Sequence, residues 1–100
     1  LAIVDVSISY ESDLDEAIGI LNKMAKSIAP KIPELAGEIN VLGVQNLSES
    51  SVDIRITAET MPTDNFSVER KIRREAKLVL EKNKISIPYP QVVVHNAKRV

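Results

Sequence analysis

Ser51-Val52-Asp53-Ile54-Arg55-Ile56-Thr57-Ala58-Glu59 alternates without a break. Val52, Ile54, Ile56 and Ala58 fall on one side, and Asp53, Arg55, Thr57 and Glu59 on the other. A period of two with this contrast predicts a strand with one face on a core and one in water. Just upstream, Val41, Leu42, Val44 and Leu47 mark a second strand over 39–47, and the polar Ser48-Glu49-Ser50 makes the turn of a hairpin. Further back, residues 3–10 repeat the alternation, with Val4, Val6, Ile8 and Tyr10 inward and Asp5, Ser7 and Ser9 outward.

Two segments change period. Leu14, Ala17, Ile18, Leu21, Ala25 and Ile28 recur at three and four, which predicts an amphipathic helix. Asp13 and Glu16 suit a capping box at its start, and Pro30 ends it. Residues 30–38 hold Pro30, Pro33 and Gly37 and read as a loop with room for one helical turn. A second helix opens at Pro62-Thr63-Asp64, with Thr63 or Asp64 as N-cap and Phe66, Val68, Ile72, Ala76, Val79 and Leu80 as its buried stripe. Asn83 is placed as its left-handed C-terminal residue. Ile85-Ser86-Ile87 is a short strand, Pro88-Tyr89-Pro90 interrupts it, and Gln91–His95 is extended again.

Strand, helix, strand, strand, helix, strand is the order of the α+β, ferredoxin-like split βαβ sandwich, with two helices on one face of an antiparallel sheet of order 4-1-3-2. Residues 1–90 form that domain, and 91–100 a C-terminal strand or tail. The fold hosts many activities, so function has to be argued from sites.

Composition removes several classes. The 100 residues carry 13 Lys+Arg against 14 Asp+Glu, a net charge of −1, with 44% apolar types, 3% aromatic and no cysteine. Disulfides, thiolate metal sites and cysteine nucleophiles are therefore excluded, and a large basic field for nucleic acid is absent. The outward positions Asp5, Ser7, Ser9, Asp53, Arg55, Thr57 and Glu59 offer no aromatic for stacking bases, which argues against RNA. Glu11, Asp13, Asp15 and Glu16 fail as a calcium loop because Ile18 and Met24 stand at its glycine and bidentate-glutamate positions. Gly43-Val44-Gln45-Asn46 lacks the arginine of a phosphate-cradling loop, and the single histidine, His95, cannot build a His-rich zinc site in one chain. Arg70, Lys71, Arg73, Arg74 and Lys77, interleaved with Glu69 and Glu75, read as a solvated helix face with internal pairs such as Arg70/Arg74 against neighbouring Glu, rather than as an anion patch. No catalytic set and no cofactor motif is visible.

No apolar run reaches the ~18 residues needed to cross a bilayer, and the chain enters a strand directly at Leu1, as a piece of a longer protein does. At the other end Gln91-Val92-Val93-Val94-His95 is β-branched and follows a proline pair that is barred from a sheet interior. Either it closes the sheet as an edge, or it leaves to pair with another subunit.

Val4-Asp5-Val6 to Tyr10 followed by Asp13-Leu14-Asp15, Gly43-Val44-Gln45-Asn46-Leu47 with Ser50-Ser51-Val52, and above all Ile85-Ser86-Ile87-Pro88-Tyr89-Pro90-Gln91 resemble the C-terminal cytosolic domain of small-conductance mechanosensitive (MscS-like) channels. That family often has Gly or Ala where Ser48 stands. The resemblance implies a homo-heptameric channel of the cell (inner) membrane, its membrane-spanning N-terminal helices absent here, that opens under tension and releases ions and osmolytes on hypo-osmotic stress. This domain then builds the lower part of a cytosolic cage with side portals and contributes assembly and solute filtering. The strand after the signature joins six other copies in a barrel, so Pro88, Tyr89, Pro90, Gln91, Val92, Val93 and Val94 are the implied oligomer interface. No enzyme activity and no cofactor follow from it. The competing reading is a ferredoxin-like regulatory or ligand-binding module that dimerises through its sheet edges.

Overall fold

The computed structural model describes residues 1–88. Its elements are strand β1 (Ala2–Ser9), helix α1 (Leu14–Ile28), a 3-10 turn (Ala29–Lys31), strands β2 (Leu35–Leu47) and β3 (Ser51–Thr60), and helix α2 (Asn65–Lys82). β3 lies at the centre of an antiparallel sheet of order β1-β3-β2. This is the α+β layering expected, with both helices on one face. The inward residues of β1 and β3 (Val4, Ile8, Ile54 and Ile56 fully buried) meet Leu21 of α1 and Val68, Ile72, Ala76 and Leu80 of α2, all without exposure. Each such side chain contributes roughly 1.5–3 kcal/mol on burial.

The fourth strand is reduced. Ile85–Pro88 forms no ladder, but it lies where that strand was placed, against the open edge of β1, through one backbone bond from Ser9 N–H to the Ser86 carbonyl at 2.8 Å. Ile85 is buried and Ile87 half-buried against the core, while Ser86 faces outward beside Ser9. Three residues before a proline leave too few donors for a regular pairing.

Local departures have local causes. The loop expected over 30–38 is a 3-10 turn holding Pro30, followed by an early start of β2 at Leu35. Phe66 is 67% exposed instead of buried. It precedes Val68 by two residues, which turns it about 200° around the helix from the Val68-Ile72-Ala76-Leu80 stripe. Tyr10 is 57% exposed, since it stands past the last β1 residue. Asp13 caps α1 by accepting the Glu16 N–H at 3.0 Å, as placed. Asp64 is the N-cap residue of α2 but makes no side-chain cap bond. The left-handed residue after α2 is Lys84 (φ 61°), not Asn83. Lys84 N–H reaches the Glu81 carbonyl and Ile85 N–H the Leu80 carbonyl, the paired bonds of a Schellman ending. Asn83 instead donates its Nδ2 to the Val79 carbonyl at 2.8 Å.

Candidate assembly surface

Three surfaces could serve partners: the outward sheet face, the edge strand β2, and the edge of β1 where the chain passes toward its C-terminus.

The outward face is held by its own polar pairs. Arg55 donates Nε and Nη2 to the two carboxylate oxygens of Asp5 at 2.8 and 2.9 Å, directly across the β1/β3 pairing. Ser7 Oγ donates to Asp53 Oδ1 at 2.6 Å. The Arg55 hydrogen bonds hold the Asp5 carboxyl below its ordinary pKa against the opposing effect of burial, with a lesser contribution from the Arg55 charge. The Asp5 hydrogen bond likewise raises that of Arg55. Arg55, the one side chain on this face with a plane to offer a base, is thereby engaged.

β2 is an edge strand with no buried residue. Its pairing places Ile39 opposite Ala58, Val41 opposite Ile56, Val44 opposite Ile54 and Leu47 opposite Val52. Directly opposed residues share a face, so all four belong to the helix-covered side. Ile39 and Val41 pack on the core. Val44 and Leu47 run on past the helices and stay 43% and 62% exposed, with Leu42 at 61%. Residues 41, 44 and 47 share one side at a spacing of three because irregularities fall between Val41 and Gly43 and between Val44 and Asn46. Each inserts an extra residue, and Gly43 takes φ 115° to allow the first. Sequence reasoning did not foresee these bulges, though the spacing of three inside a strand was their available signal.

Along the open edge of β1, α2 runs parallel to the strand. Ile3 N–H is capped by Glu69 Oε2 at 3.1 Å. Arg73 and Lys77 then line a cleft of about 180 Å³ with Asp5, Val6, Ser7 and Ile87. Lys77 and Glu81 border the next cleft, of about 290 Å³, with Ile85, Ser86, Ile87 and Pro88. Four helical residues advance about 6 Å and two strand residues about 6.6 Å, so the row Glu69-Arg73-Lys77-Glu81 keeps step with Ile3-Asp5-Ser7-Ser9.

Of the seven residues named for the oligomer interface, Pro88 alone is described, half-buried at the mouth of the second cleft. Tyr89, Pro90, Gln91, Val92, Val93 and Val94 lie outside the described residues. Elsewhere on α2 the expected pairing with a neighbouring Glu occurs at Arg74, Lys77 makes a second pair within the helix, and Lys71 reaches outside it to Glu34. Lys71 bonds Glu34 at 2.8 Å, Arg74 bonds Glu75 at 3.0 Å and Lys77 bonds Glu81 at 2.7 Å. The Lys71 hydrogen bond is the main cause that lowers the Glu34 pKa. Among the described residues no three His, Cys, Asp or Glu side chains gather as a metal site. None of their helices is long and apolar enough to cross a membrane.

A guarded β1 edge, a bulged β2 edge and the trailing Ile-Pro signature can be compared with known proteins. The family model "Mechanosensitive ion channel MscS, C-terminal" matches residues 2–87. The chain belongs to the MscS family. A small-conductance mechanosensitive channel from Caldanaerobacter subterraneus subsp. tengcongensis is 29% identical over 94 residues, which is 94% of this chain and 33% of that relative. An uncharacterized MscS family protein from Archaeoglobus fulgidus is 36% identical over 91 residues, 89% of this chain and 30% of its own length. The crystal structure of Helicobacter pylori MscS in its closed state superposes with a TM-score of 0.65 at 16% identity, over 91% of this chain and 37% of that one, a likeness of fold. The chain thus spans about one third of the length of the curated relatives it matches.

Proposed function

We propose that this chain is the cytosolic cage and assembly domain of a mechanosensitive channel that releases ions and small osmolytes on hypo-osmotic stress. In this reading the channel is a homo-heptamer held in the cell (inner) membrane by helices preceding Leu1, and the domain lies on the cytoplasmic side. Residues 1–90 are the folded unit, and 91–100 carry the oligomerisation strand. The domain performs no chemistry; it assembles subunits and screens solutes.

The observation that carries the reading is the MscS C-terminal match over residues 2–87. The geometry adds its own support. Leu42, Val44 and Leu47 stand exposed on one bulged strand, an apolar surface of the kind that partners cover.

Val92→Asp and Val94→Asp introduced together into the full-length channel test the assignment. The expected result is loss of the heptamer on native gels and loss of protection against osmotic downshock in cells lacking their own channels. The hundred-residue domain carrying the same changes should keep its wild-type circular dichroism. Intact heptamers from the double variant refute the assembly role of 91–95.

A further inference from the structure

The chain's single phenylalanine is not in its core. Phe66 stands in the first turn of α2 with 67% of its surface in water. It lies three residues before Glu69, so the two share a flank of the helix and Phe66 is about 4.5 Å nearer the helix start. Glu69 accepts the Ile3 N–H at 3.1 Å, and α2 runs parallel to β1. Two strand residues span about 6.6 Å, which sets Phe66 beyond Ile3, level with Ala2 and Leu1. Leu1 and Ile3 are themselves 68% and 41% exposed. One exposed apolar residue is ordinary, but three at one corner of a small domain mark a contact. Arg70 and Arg73 follow Phe66 along the helix as a charged rim, and neither makes an ion pair among the described residues.

The corner is where the chain enters the fold. β1 is held to the sheet from its first residue, since Ala2 pairs with Ala58 and has no exposed surface. Polypeptide arriving at Ala2 along the line of the strand passes the first turn of α2. The chain covers about one third of the length of the relatives it matches, and the function proposed above places the membrane part before Leu1. A segment tethered at Leu1 is held at high effective concentration beside Phe66, an advantage that no free partner shares.

We propose that Phe66, with Leu1 and Ile3, seats the segment of the full-length protein that immediately precedes Leu1. That segment lays an apolar side chain on the Phe66 ring and turns a carboxylate toward Arg70 and Arg73. The proposal rests on the function above only in that polypeptide precedes Leu1.

Replacing Phe66 by the photoreactive analogue p-benzoylphenylalanine in the full-length protein tests it, because an exposed ring tolerates the change and the probe joins whatever covers it. After illumination the expected product runs as a single chain on denaturing gels. Peptide mass spectrometry should place the new bond between α2 and residues preceding Leu1. A product with the mass of two chains overturns the proposal, because the cover is then another copy. A bond into residues 89–100 overturns it as well, since the cover then lies within the domain, and so does the absence of any cross-link. Native gels of the unmodified protein report the heptamer separately, so failure of the channel reading and failure of this seat are distinguishable.

Discussion

Gly43→Ala and Gly19→Ala are the same chemical change at two places where an added Cβ meets nothing within 4 Å. Sterics with neighbours therefore drop out, and the backbone alone decides the sign. Gly19 lies in the interior of α1, where Ala is preferred over Gly by roughly 0.5–1 kcal/mol. Gly43 holds φ 115° at the Val41/Gly43 irregularity of β2, a region that L side chains enter at a cost of about 1–3 kcal/mol. The restriction that Ala places on the unfolded chain returns about 0.4–1 kcal/mol of that. The net expectation is a loss of about 1–2 kcal/mol for Gly43→Ala and a gain of about 0.5–1 kcal/mol for Gly19→Ala. At about 4–8 °C per kcal/mol for a domain near this size, the two variants should melt on opposite sides of wild type. Urea unfolding followed by far-UV circular dichroism gives both midpoints. If Gly43→Ala is as stable as Gly19→Ala, the positive φ is not required and the bulge does not set the faces of Val44 and Leu47. An alanine that relieved its strain by erasing the bulge would carry the later β2 residues to the opposite face by a one-residue slip. Exposure of Leu47 in the variant would then fall out of step with wild type in side-chain NMR contacts.

Asp13→Ala removes the acceptor of the Glu16 N–H at the start of α1 and should cost about 1 kcal/mol in the same urea assay, with Asp13→Asn retaining most of it. The Asp5–Arg55 pair gives a pH signature. Its folded carboxyl titrates below the ordinary value, so its contribution is present above the unfolded pKa and disappears as the pH falls through the folded one. Asp5→Asn should therefore lower the melting temperature by a few degrees at most at pH 7, because the pair is partly exposed and screened, and by less at pH 2. An equal loss at both pH values would assign the effect to packing instead.

The parts of the fold legible in the sequence are those where one residue pattern answers to one face. β3 alternates through Val52, Ile54, Ile56 and Ala58, and each of these is buried. α1 ends at Ile28 ahead of Pro30 as the periodicity required. What escaped were features set by contacts between distant residues. β2 begins at Leu35 rather than 39 because its first residues pair with Thr60 and Ala58 of β3, which override the local breakers Pro33 and Gly37. A Cβ at Gly37 would stand 2.6 Å from Oε1 of Glu59, the free end of a side chain that can swing aside, so the contact alone does not demand glycine. Lys84 takes the left-handed position in place of the better-suited Asn83, and the bonds of Lys84 and Ile85 back to Glu81 and Leu80 fix where the helix stops. The candidate surface was half legible. The polar outward face of Asp5, Ser7, Asp53 and Arg55 followed from the alternation, whereas the Glu69 cap on Ile3 joins residues 66 positions apart and no local pattern announces it.

The two sheet edges each hinder strand addition, by different devices. On β2 the irregularities at Val41/Gly43 and Val44/Asn46 break the regular spacing of donors that an incoming strand needs. On β1, Glu69 occupies one outward amide and Ser86 another, with charged Arg73 and Lys77 standing between them. A continuous sheet running from copy to copy would have to displace one set of these groups. Side-chain docking carries no such cost, and Leu42, Val44 and Leu47 are exposed to it.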